Sequence, residues 1–395
     1  MYDARSLLLN LGHTLDHWAM LIFPTAVLAL GPAWNMPYAE LLPYALGGFI
    51  AFGAGSIPAG WLADHWSRRG MMLVFFFGLG GAMILGGLIE SPSQMAAALT
   101  LIGLFGAIYH PVGIAMLVEG VTDRLGRTLG VNGVAGNLGL AFAALVTGAV
   151  IDLAGWRAGF FVPGAVSIAL GFAFWRLVPA VPGGARKKAG GAGTALPRAV
   201  VVRVFLVLVS TTIAGGVIFN ATTIAMPKVF DERLGALTQT SLGVGLLVCL
   251  VFVLAAIAQL IVGGLIDRRP LKAVLVTVVA FQPPLLWLAQ GTDNLAMLAV
   301  SVAMMFFVFG QIPLNDAMVA RVTDEHWRAR VYALRYVMSF GASATAVPLV
   351  AWLHAKAGGF ELVFVVLAAL AAITFCVTLT FPRMEEGSRL APARA

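Results

Sequence analysis

The sequence predicts an all-α membrane protein with twelve transmembrane helices in two pseudo-symmetric six-helix bundles. Three observations carry this prediction. Of 395 residues, 60% are hydrophobic and only 11% charged, whereas soluble domains carry about a quarter charged residues. Twelve apolar segments are each long enough for a hydrocarbon core about 30 Å thick, which takes about 20 residues to cross. The two halves also repeat each other at an offset of 201–203 residues.

In chain order the segments fall at 7–30, 41–62, 71–90, 94–118, 128–152, 157–178, 200–227, 239–265, 271–290, 294–319, 331–354 and 359–381. Turn chemistry separates them, as in "GPAWNMP", "ESPSQ", "AGWR" and "QGTDN". The N-terminus lacks a basic region and a small-residue cleavage site, so the first apolar segment reads as a retained helix. The stretch 180–199, "AVPGGARKKAGGAGTALPRA", reads as a basic cytoplasmic linker. It divides residues 1–179, the first bundle, from residues 200–395, the second bundle with a short tail. Placing the N-terminus inside puts 21 of the 25 Lys and Arg on the inner side. Both termini are therefore expected in the cytoplasm, across a bacterial inner membrane.

The net charge of +7 does not indicate a nucleic-acid partner, because no basic domain exists and orientation alone recruits positive charge. Cys249 and Cys376 lie in apolar runs and read as buried thiols. The expected partners are the lipid bilayer and a small-molecule substrate, with a monomer as the working unit.

The repeat is readable motif by motif. "GWLADHWSRR" (60–69) returns as "GGLIDRR" (263–269), and "HPVGIAM" (110–116) as "IPLNDAM" (312–318). "VTD" at 121–123 recurs at 322–324, Pro24 matches Pro227, and His17 falls opposite Asn220. Six helices per half make this a parallel repeat, for which a substrate site is expected near midplane.

The densest chemistry lies in the first segment, "LGHTLDHWAML" (11–21). His13, Asp16 and His17 share a helix face by their spacing. His17 lies ten residues past Leu7, about 15 Å along the helix, near the middle of the bilayer. Ionisable groups at that depth mark a polar cavity or a functional pair. A desolvated carboxylate can hold a proton and a histidine can relay it, so the stripe reads as proton coupling or substrate binding. His110 precedes Pro111, which removes a backbone hydrogen bond and frees a carbonyl at membrane depth. In the second half, Asn220 and Gln311 are the expected cavity groups, while Asn315 and Asp316 lie nearer the inner end. The methionines and histidines suggest Cu(I) ligands, but fifteen methionines in so apolar a chain read as packing. No metal site and no cofactor are expected, the energy source being a proton gradient. The glycines of "NGVAGNLG" (132–139) read as sites of close helix packing.

Twelve helices in six plus six, a central loop and "GWLADHWSRRGMM" between the second and third helices resemble the major facilitator superfamily. "GHTLD", "IYHPVG" and "DRLGRTLGVNGVAGNLG" resemble its fosmidomycin-resistance branch of drug exporters. The resemblance implies that helices 1 and 4 of each half line a central cavity, bringing His110 toward the His13, Asp16 and His17 stripe. It also departs from many proton-coupled drug antiporters, whose helix 4 arginine is absent from "LIGLFGAIYHP". Asp64, Arg68 and Arg69 read as an inner gate, with Asp64 capping a facing helix and the arginines pairing with Glu119 or Asp123. Asp267, Arg268 and Arg269 are expected to repeat it with Asp324 or Glu325. The function implied is a secondary active transporter, exporting a small polar or amphipathic compound in exchange for protons. The alternative is an importer of a metal ion, metallophore or small organic anion. An enzyme is disfavoured because the strongest cluster sits at midplane rather than at a membrane face.

Overall fold

A computed structural model describes residues 4–119, 125–179, 198–322 and 325–382. They form α1 (Ala4–Trp34), α2 (Tyr38–His65), α3 (Arg68–Leu88), α4 (Pro92–Val118), α5 (Leu125–Ala154) and α6 (Ala158–Leu177). There follow α7 (Arg198–Arg233), α8 (Ser241–Arg268), α9 (Leu271–Ala289), α10 (Asn294–Val322), α11 (Glu325–Ala357) and α12 (Glu361–Leu379). Eleven of the twelve are long and apolar enough to cross a membrane, judged on the described residues. The other, α11, has the length at 33 residues. Large apolar side chains such as Ile57, Trp175, Leu260 and Ile373 are exposed. Only a hydrocarbon solvent makes such a surface favourable. Cys376 shares that exposure on α12, whereas Cys249 is partly covered, and neither forms a disulfide.

The chain divides into two compact units. The first holds α1–α6 with residues 224–253; the second holds the start of α7, the remainder of α8 and α9–α12. In the first unit α1 packs on α5, α3 on α6, and α2 on α4. Small residues allow the approach: a Cβ at Gly48 would lie 2.7 Å from Leu99 O, and one at Gly103 would run into Gly48 O. The α3–α6 pair is tied at both ends. Arg69 donates from Nε and Nη2 to Val178 O and Trp175 O at 2.5 and 2.6 Å. Arg157 donates to Gly87 O and Ile89 O at 3.0 and 2.6 Å. Each arginine thus serves the C-terminus of the opposite helix, where carbonyls lack intrahelical donors and negative dipole charge collects. Asp152, near the end of α5, accepts from Ser241 N and Leu242 N at 3.2 and 2.6 Å, capping the start of α8.

Prolines shape two helices near their middles. In α4 the regular helix ends at Gly106, and a π-helical turn, Tyr109–Gly113, takes up Pro111. In α9 the pair Pro283 and Pro284 follows a break at Phe281. Both breaks occur where a missing backbone N–H leaves a carbonyl unserved. In the second unit α9 packs on α10 and α12 around an apolar core that includes Leu275, Val279, Leu314 and Met318.

Replacing Gly103 with alanine is expected to destabilise the first unit by about 1–3 kcal/mol, the usual cost of overpacking. At Gly81 a Cβ meets nothing within 4 Å, so Gly81→Ala is expected to leave stability unchanged or raise it. Thermal unfolding in detergent compares the two; equal midpoints would refute the close-approach assignment.

Candidate functional site

The ionisable stripe on α1 divides between two neighbours. His13 turns to α5, where its Nδ1 lies 2.7 Å from the main-chain oxygen of Asn132. A carbonyl only accepts, so Nδ1 carries the hydrogen and, in the neutral ring, Nε2 carries the lone pair. His17 Nε2 sits 3.2 Å from that atom and donates to it. Tyr109 stacks on His13 with centroids 4.7 Å apart and planes at 13°. Its hydroxyl donates to Leu9 O at 2.8 Å and accepts from Asn132 Nδ2 at 2.7 Å. Asn132 Nδ2 also donates to Asn10 Oδ1 at 3.0 Å. The glycines of α5 make this possible: a Cβ at Gly136 would lie 2.7–3.1 Å from the His13 ring, and one at Gly139 would strike Thr14 O.

Asp16 turns the other way, toward α4, and is 0% exposed. Its Oδ2 lies 3.5 Å from His110 Nε2. Neither oxygen has a hydrogen-bond partner among the described residues. Gly106 leaves the space, since a Cβ there would lie 3.0 Å from Asp16 Oδ1. His110 stands in the π turn of α4, edge-on to His13 at 5.2 Å, to His17 at 5.6 Å and to Phe52 at 5.8 Å between centroids. One ring nitrogen from each of His13, His17 and His110 lies within 4.8 Å of the others. Four ionisable groups therefore meet in one buried knot of the first unit. A proton on either partner turns the Asp16–His110 contact into a hydrogen bond or an ion pair, and its loss leaves a bare buried carboxylate, which is costly.

The second-unit residues have a different setting. Asn220 donates from Nδ2 to Gly216 O of its own helix at 2.8 Å. Gln311 is 4% exposed; it donates to Thr211 O at 3.0 Å and accepts from Gln282 Nε2 at 2.7 Å. It is a tie between α7, α9 and α10, because a glycine at 215 lets its amide reach the α7 backbone.

The gate residues also separate. Glu119 accepts from Arg5 at 2.8 Å and lies 3.5 Å from Arg68, which also pairs with Asp64 at 3.0 Å. Asp64 thus pairs one turn along rather than capping a facing helix. Arg69 serves the α6 carbonyls instead of an acid. Asp123 and Asp324 lie outside the described residues. Among the described residues Asp267 and Arg268 are exposed and make no ion pair; the second unit instead pairs Asp316 with Arg335. Reading the sequence passed over Arg5, Asn10, Tyr109, Asn132 and Gln282. Tyr109 and Asn132 stood inside quoted motifs but were read for their neighbouring histidine and glycines.

Long apolar helices with a buried polar knot in the first unit define a multi-pass membrane protein. The profile of the Major Facilitator Superfamily matches residues 9–310 and 234–395, so the chain belongs to that superfamily and is a transporter rather than an enzyme. Its fold is similar to a D-xylose-proton symporter, with TM-score 0.75 at 14% identity, over 98% of this chain and 99% of that one. It is equally similar to a bacterial homolog of the human lysosomal transporter Spinster, in an inward-facing, unoccupied conformation. There the TM-score is 0.76 at 15% identity, over 96% and 98% of the two chains. A stretch of 132 residues, 33% of this chain, is 30% identical to the puromycin resistance protein pur8 of Streptomyces alboniger, of which it spans 26%.

Tyr109→Phe removes one hydroxyl that serves both Leu9 O and the Asn132 amide. It is expected to lower stability by about 1–3 kcal/mol by stranding buried polar groups. Chemical or thermal unfolding of the purified variant measures this, and an unchanged midpoint would count against the network.

Proposed function

We propose that this chain is a proton-coupled exporter working by alternating access, which expels a small polar or amphipathic compound from a bacterial cell. The single observation behind this is Asp16, a buried carboxylate on α1 whose Oδ2 lies 3.5 Å from His110 Nε2 in the π turn of α4. That pair supplies a place to load and unload a proton at membrane depth. In this reading Asn220 contacts substrate from the second unit. The Glu119 cluster with Arg5, Arg68 and Asp64 holds the inner face closed, and a lone chain sits in the inner membrane with both termini cytoplasmic. The 30% identity to a puromycin resistance protein over part of the chain and the "GHTLD" and "IYHPVG" resemblance to the fosmidomycin-resistance branch support export of a drug-like compound. A symporter of similar fold illustrates the opposite direction, and the three clustered imidazoles favour import of a metal ion or metallophore as the second reading.

Growth of an efflux-deficient bacterium expressing the chain separates these readings, on a panel of phosphonate and other antibiotics, puromycin, dyes and copper. Export predicts resistance to at least one compound, falling to the level of the empty vector with Asp16→Asn and with His110→Ala. Sensitisation by the wild-type chain would mean import and would end the exporter reading. Resistance retained in both variants would remove this pair from the coupling step.

A further inference from the structure

We propose that His13, His17 and His110 form a binding site for one divalent first-row transition-metal cation of the zinc class. The inference rests on donor geometry and holds whether or not protons drive transport. Three imidazoles from two helices converge, with one nitrogen of each within 4.8 Å of the others. Zinc–imidazole bonds of about 2.0–2.1 Å in a tetrahedral centre set ligand nitrogens about 3.3 Å apart. The Nε2 atoms of His13 and His17 already stand at 3.2 Å. His110 has to close by at most about 1.5 Å to reach the same spacing, and its ring stands T-shaped to those of His13, His17 and Phe52.

His13 has, and His110 approaches, the surroundings typical of metal-binding histidines. Such a histidine nearly always gives its second N–H to a carbonyl or a carboxylate, which fixes the tautomer and raises ligand basicity. His13 gives Nδ1–H to Asn132 O at 2.7 Å, leaving Nε2 as the ligand. His110 holds Nε2 3.5 Å from the Asp16 carboxylate; with its hydrogen there, the neutral ring keeps the Nδ1 lone pair for a cation. Asp16 is otherwise unpartnered among the described residues. Its negative charge would offset part of the cation's. In the metal-free state His17 donates its Nε2 hydrogen to His13; binding moves that hydrogen to His17 Nδ1 and turns the nitrogen into the third ligand. Imidazole without thiolate suits Zn²⁺, Cu²⁺, Ni²⁺ and Co²⁺. His17 and His110 are only partly buried, which leaves the fourth position open to water or to a substrate donor. The site depends on α4 bringing His110 beside α1, which composition does not reveal.

The test uses the full-length chain in detergent, freed of any polyhistidine tag and titrated with Co²⁺. One equivalent is expected to give the visible absorption of a tetrahedral cobalt centre, displaced by Zn²⁺. His17→Gln and His110→Gln are expected to abolish that band, and Asp16→Asn to weaken binding by about 10–100-fold, as loss of an orienting carboxylate does. His65→Gln, at an exposed histidine on α2, is the control and is expected to keep the full band. Elution profile and unfolding midpoint confirm that each variant is folded. No saturable band in the wild type, or an undiminished band in both folded histidine variants, would overturn the proposal. Failure of the exporter reading shows in the growth assay and leaves this spectrum unaffected.

Discussion

The close contact of α1 with α5 is the constraint on which the site depends. Gly136 and Gly139 are the points where α5 can approach α1 closely, and the freed space goes to the His13 ring and the Thr14 carbonyl. Thr14 Oγ1 then donates to Ala135 O at 2.8 Å, and His13 reaches the Asn132 carbonyl. In a bilayer the hydrophobic effect does not drive helix association, since lipid is as apolar as leucine. Close packing and interhelical hydrogen bonds have to do it. This pair has both, and it fixes which way each ionisable group on α1 faces.

The helices were largely legible in the sequence because twenty-residue apolar runs have little else to become. Their ends were less so: α7 extends to Arg233 and α1 begins at Ala4, beyond the apolar stretches, because charged residues continue a helix past the hydrocarbon without penalty. The helical spacing of His13, Asp16 and His17 correctly put them on one broad face. It did not show that the face straddles two neighbours, with His13 toward α5 and Asp16 toward α4. Three residues at about 100° each leave His13 and Asp16 about 60° apart in helical phase, a difference that is invisible until the packing partners are known. Asn132 and Tyr109 escaped notice because each acts through a partner that is distant in sequence. Gln311 drew notice as a polar residue at depth, yet its amide is spent on Thr211 and Gln282.

The repeat guided the reading of the ion pairs and also misled it. Matching Asp64 to Asp267 suggested a duplicate cluster. The first cluster, however, turns on Glu119, which bridges Arg5 and Arg68. At the offset of the neighbouring motifs, Glu119 corresponds to Ala320 or Arg321, so the second half has no acid at that position. Asp267 and Arg268 remain at the exposed end of α8. Similar motifs thus inherit a backbone position, whereas an ion pair requires both partners to be kept.

The π turn of α4 links two regions of the first unit. An α-helix advances about 100° per residue, so one residue accommodated in a wider turn changes the azimuth of everything beyond it. On one side of Tyr109–Gly113 the helix meets α2 at Gly103; on the other it ends with Glu119 between two arginines. His110 faces Asp16 from within the turn itself. Relaxing that turn to regular α-helix would swing the imidazole away from the carboxylate and rotate Glu119 away from its arginines together. The helix therefore works as a crankshaft, in which the angle of the buried knot and the angle of the terminal ion cluster are set by the same five residues.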